Sequence, residues 1–325
     1  MASDTPARTV LVTGANIGLG LEACRQLATD LVAKRIILAC RSQQRAEQAV
    51  EQLRKLPDVQ STFEILLLDV SQPKAAADVA ASLDAKLDGL ILNAGGMGAN
   101  AGDISPDGVT NLMAINLLGH AAFLESLIQS GKLNNGARIV AAGSEAARGV
   151  PKAVVPFGSK FTITEPYVEH IAKKLDGSGY KSLSSTDGLF THYADAKAIL
   201  ALYISEMQQK HPQYTFFTIT PGATAGTNIP NHPATPSFIR LLFTLAGPML
   251  VCTRIMHPVH AGAERYIAGI ALRGDLAEPE AKGKFFGSRP GLRLTGPMCD
   301  QAGIMPLFGD RKAQAAAYEA IHRFI

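Results

Sequence analysis

Short apolar runs alternate with helical segments through the first half of the chain, and the first run ends in a glycine loop. The runs are Arg8 to Thr13 (RTVLVT), Arg35 to Ala39 (RIILA), Phe63 to Leu68 (FEILLL), Asp88 to Leu92 (DGLIL) and Ala137 to Ala142 (ARIVAA). They are continuous rather than alternating, as strands buried on both faces of a parallel sheet require. Helical periodicity fills the gaps, over Gly18 to Thr29, Gln43 to Lys55, Gln72 to Leu83 and Asp107 to Ser130. This β-α-β-α order predicts a doubly wound α/β sheet with right-handed crossovers.

Between Ser144 and Tyr193 the pattern breaks, with Pro151, Pro156, Pro166 and the turn Asp176 to Gly179. The stretch 146–190 reads as an insertion with a short helix near Val168 to Leu175. Order resumes with a helix over His192 to Lys210, a strand over Tyr214 to Thr220, a helix over Val259 to Ala271 and a strand near Gly283 to Phe286. These late elements complete the same sheet, so the expectation is one domain over residues 1–325. Its sheet is mainly parallel, with about seven strands flanked by helices and a lid over 224–256. The longest apolar stretch, Leu241 to Cys252, is too short to span a bilayer and contains Pro248, so no transmembrane segment is expected. A 47% hydrophobic content against 18% charged residues excludes a disordered chain. A net charge of +3 without a basic stripe gives no reason to expect nucleic acid. The four cysteines, at 24, 40, 252 and 299, have no metal-ligand spacing, so no metal is expected, and a reduced, cytoplasmic protein fits them best.

Three local patterns carry chemistry. The loop Thr13-Gly14-Ala15-Asn16-Ile17-Gly18-Leu19-Gly20 lies between a strand and a helix, where free amides and the helix dipole favour a phosphate. A purely structural glycine turn has the same sequence. After the second strand stands Arg41, in Ala39-Cys40-Arg41-Ser42, with no carboxylate to take a ribose 2′-hydroxyl. A guanidinium there suits a 2′-phosphate, so NADP(H) is favoured over NAD. Finally, Tyr193 and Lys197 are four apart on a helix and share a face. A nearby ammonium favours the phenolate and lowers the phenol pKa toward a working range.

Together TGANIGLG, Asp69, Asn93-Ala94-Gly95, Asn116, Ser144, Tyr193/Lys197 and Pro221-Gly222 resemble the short-chain dehydrogenase/reductase family, over roughly residues 8 to 286. The ILACRS segment resembles its NADP-preferring, retinol-dehydrogenase-like and carbonyl-reductase-like branch. The resemblance implies a Rossmann fold and four catalytic residues. Tyr193 is the general acid/base and Ser144 binds the substrate carbonyl. Lys197 binds the nicotinamide ribose and tunes Tyr193, and Asn116 holds a water that connects Lys197 to solvent. It also implies a cofactor site. Gly14, Asn16, Ile17, Gly18 and Gly20 belong to the phosphate loop, while Arg41 takes the 2′-phosphate. Asp69 and Val70 flank the adenine, and Asn93, Ala94 and Gly95 pack on its ribose. Pro221, Gly222 and Thr224 face the nicotinamide, and Thr227 reaches the carboxamide or diphosphate.

The implied activity is an NADPH-dependent oxidoreductase of the ketoreductase type, reducing a ketone or aldehyde of a hydrophobic small molecule or oxidising the alcohol. Two alternatives stay open: an NADP(H)-binding sensor or interaction protein without turnover, and an enzyme of this fold doing non-redox chemistry. Ser144 and Tyr193 are 49 positions apart, more than in most relatives. In carbonyl-reductase-like relatives an insertion here covers a helix face used for dimerisation, which implies a monomer, with a homodimer as the alternative. The tail from Arg289 to Ile325 matches no motif.

Overall fold

The computed structural model describes residues 8–30, 32–96, 100–150, 162–163, 166–181, 183, 186–225, 251–252, 255–291 and 294–325. The apolar runs form β1 (Thr9–Thr13), β2 (Arg35–Cys40), β3 (Thr62–Leu67), β4 (Leu87–Leu92), β5 (Leu133–Ala142), β6 (Thr215–Ile219) and β7 (Phe285–Ser288). An eighth strand, β8 (Met298–Asp300), comes from the tail. Sheet order is β3-β2-β1-β4-β5-β6-β7-β8, parallel except for the antiparallel β7–β8 pair. The expected doubly wound α/β sheet is therefore present, with one strand more than the sequence pattern suggested.

The strands read as continuous apolar runs because each face of the sheet has its own core. Val10, Val12, Ile36, Leu38, Ile91 and Val140 pack with helices α1 (Gly18–Thr29), α2 (Gln43–Arg54) and α7 (Val259–Ala271). Their neighbours Leu11, Ile37, Leu90, Leu92 and Ile139 pack on the other face. There they meet α3 (Pro73–Ser82), α4 (Asn111–Gln129), α5 (Val168–Leu175), α6 (Thr186–Lys210) and α8 (Arg311–Ile321). Each fully buried Leu or Ile contributes roughly 1.5–3 kcal/mol relative to exposure.

Two helices depart from the sequence reading. α6 starts at Thr186, ahead of the expected His192, and α8 follows no motif. Its N-cap is Asp310, whose carboxylate accepts from the backbone amides of Lys312 and Ala313. α8 packs its alanine-rich face on α6 and α5. Among the described residues one helix, α4, is long and apolar enough to cross a membrane, and it is mostly buried within the protein.

The winding reverses between β1 and β4, where the chain crosses from one half of the sheet to the other. Ligands of open α/β sheets bind at the carboxyl ends of strands beside such a reversal. The glycine loop after β1 and the Asn93 turn after β4 both stand there. Most of the expected lid at 224–256, including Thr227, and much of the 146–190 insertion lie outside the described residues.

Candidate active site

The loop after β1 needs glycine at two positions of left-handed backbone, Gly14 (φ +65°) and Gly18 (φ +57°). Gly20, in the first turn of α1, needs it for closeness, because a Cβ there would stand 2.3 Å from the Gly14 carbonyl oxygen. The N-cap of α1 is Ile17, so no side chain caps the helix start. Asn16 is half-buried and Ile17 is exposed. At the end of β2, Arg41 is exposed, and Ser42 caps α2 by accepting from the Arg45 amide at 3.4 Å.

Three residues of α4 hold the turns around this loop. Ala114–Leu118 form a π-helical turn, a distortion that recurs at functional sites. Within it the Asn116 amide donates to Gly96 O at 2.7 Å and to Leu112 O at 2.9 Å, while its Oδ1 accepts from Gly96 N at 3.1 Å. A Cβ on Gly95 would meet that Oδ1 at 2.7 Å. Gly119 lies against the Asp69–Val70 turn so closely that a Cβ there would stand 1.8 Å from Val70 O. His120 faces the end of β1. Thr13 Oγ1 accepts from the backbone amides of Asn93 at 2.8 Å and Ala94 at 2.9 Å. Both lone pairs are then used, which leaves its proton for Ile91 O at 3.5 Å or His120 Nε2 at 3.2 Å. Burial drives the His120 pKa down to about 3, with help from the Lys197 charge, so the ring is neutral. Asp69 Oδ1 accepts from Ser71 N at 3.0 Å and from Ser71 Oγ at 2.7 Å.

At the end of β5, Ser144 caps a short turn by accepting from the Ala146 amide at 3.2 Å, and its hydroxyl acts to lower the pKa of Tyr193 on α6. One turn on, buried Lys197 donates from Nζ to Ala142 O at 2.9 Å and stands 5.8 Å from the centroid of the Tyr193 ring. Burial lowers the Lys197 pKa to about 8. Burial also pushes the Tyr193 phenol up to about 12; the Ser144 hydrogen bond opposes this and the Glu145 charge adds to it. The sequence reading expected a lowered phenol beside an ammonium. Instead the shift is upward, and burial is its largest cause.

Between Tyr193 and Lys197, Asp195 faces the insertion. It accepts from Thr162 N at 3.0 Å, from the Thr162 hydroxyl and from Tyr180 OH at 2.9 Å, with Lys174 Nζ at 3.8 Å. After β6, Pro221–Ala225 are backed by His257. Ala225 N donates to His257 O at 2.9 Å, and His257 N donates to Ala223 O at 2.6 Å. Gly222 (φ +74°) has no room for a Cβ against His257 and Leu294 O, and Thr224 Oγ1 donates to Pro221 O at 3.1 Å.

The structure thus brings the glycine loop, Asn93–Gly95, Asn116, Ser144, Tyr193, Lys197 and Pro221–Thr224 to the carboxyl end of one sheet. Sequence reasoning missed Gly119, His120 and Glu145. Glu145 directly follows Ser144, but its partners come from β6, β7 and α7, so no local pattern marks it.

A family model described as short chain dehydrogenase matches residues 8–178. The short chain dehydrogenase sor7 of Hypocrea jecorina is 29% identical over 63% of this chain and 57% of its own length. The (+)-neomenthol dehydrogenase of Arabidopsis thaliana is 28% identical over 68% of this chain and 84% of its own. Among solved structures, the NADPH-dependent 3-quinuclidinone reductase of Rhodotorula rubra superposes with a TM-score of 0.58 at 16% identity, covering 86% of this chain and 88% of that one. The match over more than half of the sequence, on a sheet of this topology, makes the chain an oxidoreductase of the short chain dehydrogenase family.

Proposed function

We propose that this chain is an NADPH-dependent reductase of ketones or aldehydes on hydrophobic small molecules, with the reverse alcohol oxidation on the same groups. One observation carries the reading: Ser144 at the end of β5, Tyr193 and Lys197 meet at the carboxyl end of the sheet, with Lys197 Nζ 5.8 Å from the Tyr193 ring centroid and bonded to Ala142 O two residues before Ser144. A protonated phenol can deliver its proton to a substrate oxygen as negative charge develops there. Ser144 orients that oxygen and shares the charge.

The residues fit a dinucleotide. The helix start at Ile17 is uncapped, Gly14 and Gly20 let the loop pack closely against the Asn93-Ala94 turn, and no carboxylate follows β2. In this reading the glycine loop, with Asn16, Ile17 and Gly18, holds the diphosphate, and Arg41 takes the 2′-phosphate. Asp69 and Val70 take the adenine, Asn93–Gly95 its ribose, and Lys197 the nicotinamide ribose. Pro221, Gly222 and Thr224 back the nicotinamide, and Thr227 joins them from outside the described residues. When bound, the nicotinamide supplies the hydride. Lys197 keeps its ammonium below about pH 8 and neutralises charge left on Tyr193. Asn116, through its π turn, keeps the Gly95–Gly96 backbone open behind Lys197.

We read residues 1–325 as one domain that includes an insertion at 146–190 and a substrate lid at 224–256, much of which lies outside the described residues. The relative named for neomenthol supports an apolar substrate. A cytoplasmic location suits the four free cysteines, and an insertion anchored on Asp195 suits a monomer. The test is NADPH consumption across hydrophobic ketones, aldehydes and quinones; no turnover across the panel would reject the reading. Arg41→Glu should weaken NADPH relative to NADH by roughly tenfold to a hundredfold, since a charge-assisted hydrogen bond contributes about 1.5–3 kcal/mol. Paired binding titrations check it, and an unchanged ratio would remove Arg41 from the site.

A further inference from the structure

Glu145 is a buried carboxylate next to Ser144, 4% exposed. Its Oε1 accepts from the Thr220 hydroxyl and, at 3.0 Å, from the backbone amide of Ser288. Arg265 Nη1 stands 3.9 Å from the same oxygen. Arg265 is also fixed by Ser288 Oγ at 3.0 Å, Gly296 O at 2.7 Å and His257 Nε2 at 3.0 Å. From the Glu145 turn itself, Arg148 donates to Ser288 O at 2.6 Å and to Gln301 Oε1. One carboxylate therefore joins the ends of β5, β6 and β7, immediately before Pro221-Gly222 and beside the tail that carries β8.

A buried charge is costly unless compensated, so its retention beside Ser144 calls for a use. We propose that Glu145 is a positioning residue for the Ser144–Tyr193 pair: through Thr220, Ser288 and Arg265 it clamps the Ser144 turn to the ends of β6 and β7. The inference rests on the reading of Tyr193 as proton donor and deepens it, because the clamp sets the pH range over which donation persists. The groups facing Glu145 are Arg265 and Tyr266 from α7, Arg148 from its own turn, His257 from the segment before α7 and Tyr193 from α6. Burial keeps His257 below its ordinary range, and Arg265 lowers it further, so it accepts from Arg265 as a neutral ring. The two arginines are the cations that offset the carboxylate.

Glu145→Gln keeps an acceptor oxygen for Thr220 and Ser288 and removes only the charge. The chain has 7 tyrosines and no tryptophan, so phenolate formation reads cleanly in the near ultraviolet. Subtracting a Tyr193→Phe spectrum isolates Tyr193. The expected result is a Tyr193 midpoint lower by about half a pH unit or more in Glu145→Gln, and an alkaline limb of the reduction profile displaced the same way. Arg265→Gln, which removes one of the two cations that offset the carboxylate, should move the midpoint up; it keeps the test alive if the first variant does not fold. Equal midpoints in wild type and either folded variant would overturn the proposal. Full turnover by Tyr193→Phe would instead sink the donor reading while leaving the phenolate titration interpretable.

Discussion

Tyr193→Phe is expected to lower kcat for carbonyl reduction by about 10²–10⁴, the usual worth of a positioned general acid. The reason lies in what the substitution spares. The ring remains packed beside α4 and the sheet, Lys197 keeps its bond to Ala142 O, and Ser144 keeps its cap on the Ala146 amide. Only the hydroxyl that carries the proton is gone. Cofactor affinity, followed by quenching or enhancement of nicotinamide fluorescence, should stay within a few-fold of wild type. Loss of both binding and rate would mean that the ring supports the site rather than the chemistry, and an unchanged rate would remove the phenol from the mechanism.

Gly119→Ala should have the largest effect of any single-methyl addition around the cofactor site. Its Cβ would stand 1.8 Å from Val70 O, 2.6 Å from Val70 C and 2.9 Å from Val70 Cα. All three are backbone atoms, so no rotamer change relieves the clash. Either α4 or the Asp69–Val70 turn must move by more than an ångström. Overpacking of this kind costs about 1–3 kcal/mol and sometimes more. The displaced turn is the one proposed to hold the adenine, so dinucleotide affinity should fall at least about tenfold, or roughly 1.4 kcal/mol. Denaturant unfolding and titration with 2′-phospho-ADP-ribose, which lacks the nicotinamide, check the two parts. Wild-type values in both would show that the Val70 turn yields freely.

How much was legible follows from the range of each interaction. The glycine loop could be read because its requirements are local: Gly14, Gly18 and Gly20 each answer a backbone condition within a few residues of one strand end. The strands could be read because burial on both faces leaves unbroken apolar runs, as in Val10 to Val12 and Ile36 to Leu38. The Tyr193–Lys197 pair needed only the helical repeat. Its proton affinity did not follow from spacing, because burial, the largest cause of the shift at both residues, is set by elements far away in sequence. The π turn around Asn116 sits inside an apolar stretch that reads as ordinary helix. The Glu145 clamp assembles from the ends of β5, β6 and β7 together with α7, and only the folded sheet brings these into one place. The tail gave no motif because α8 is defined by its fit to α6, through small residues such as Ala313, Ala316, Ala317 and Ala320.

The antiparallel strand at the end of the sheet has a consequence for how molecules of this chain meet one another. β7 is buried along its whole length, Phe285 to Ser288, and without β8 it would be the terminal rung, open to pairing with another chain. β8 covers it with three residues, Met298, Cys299 and Asp300, and then turns into a short 3₁₀ segment. A rung this brief, ending in a carboxylate that Lys284 meets at 3.1 Å, is a poor template for further growth. The edge of β7 is thereby covered by a stretch that supplies none of the candidate site's side chains. Chains cut short before Met298 would be left with an adhesive border.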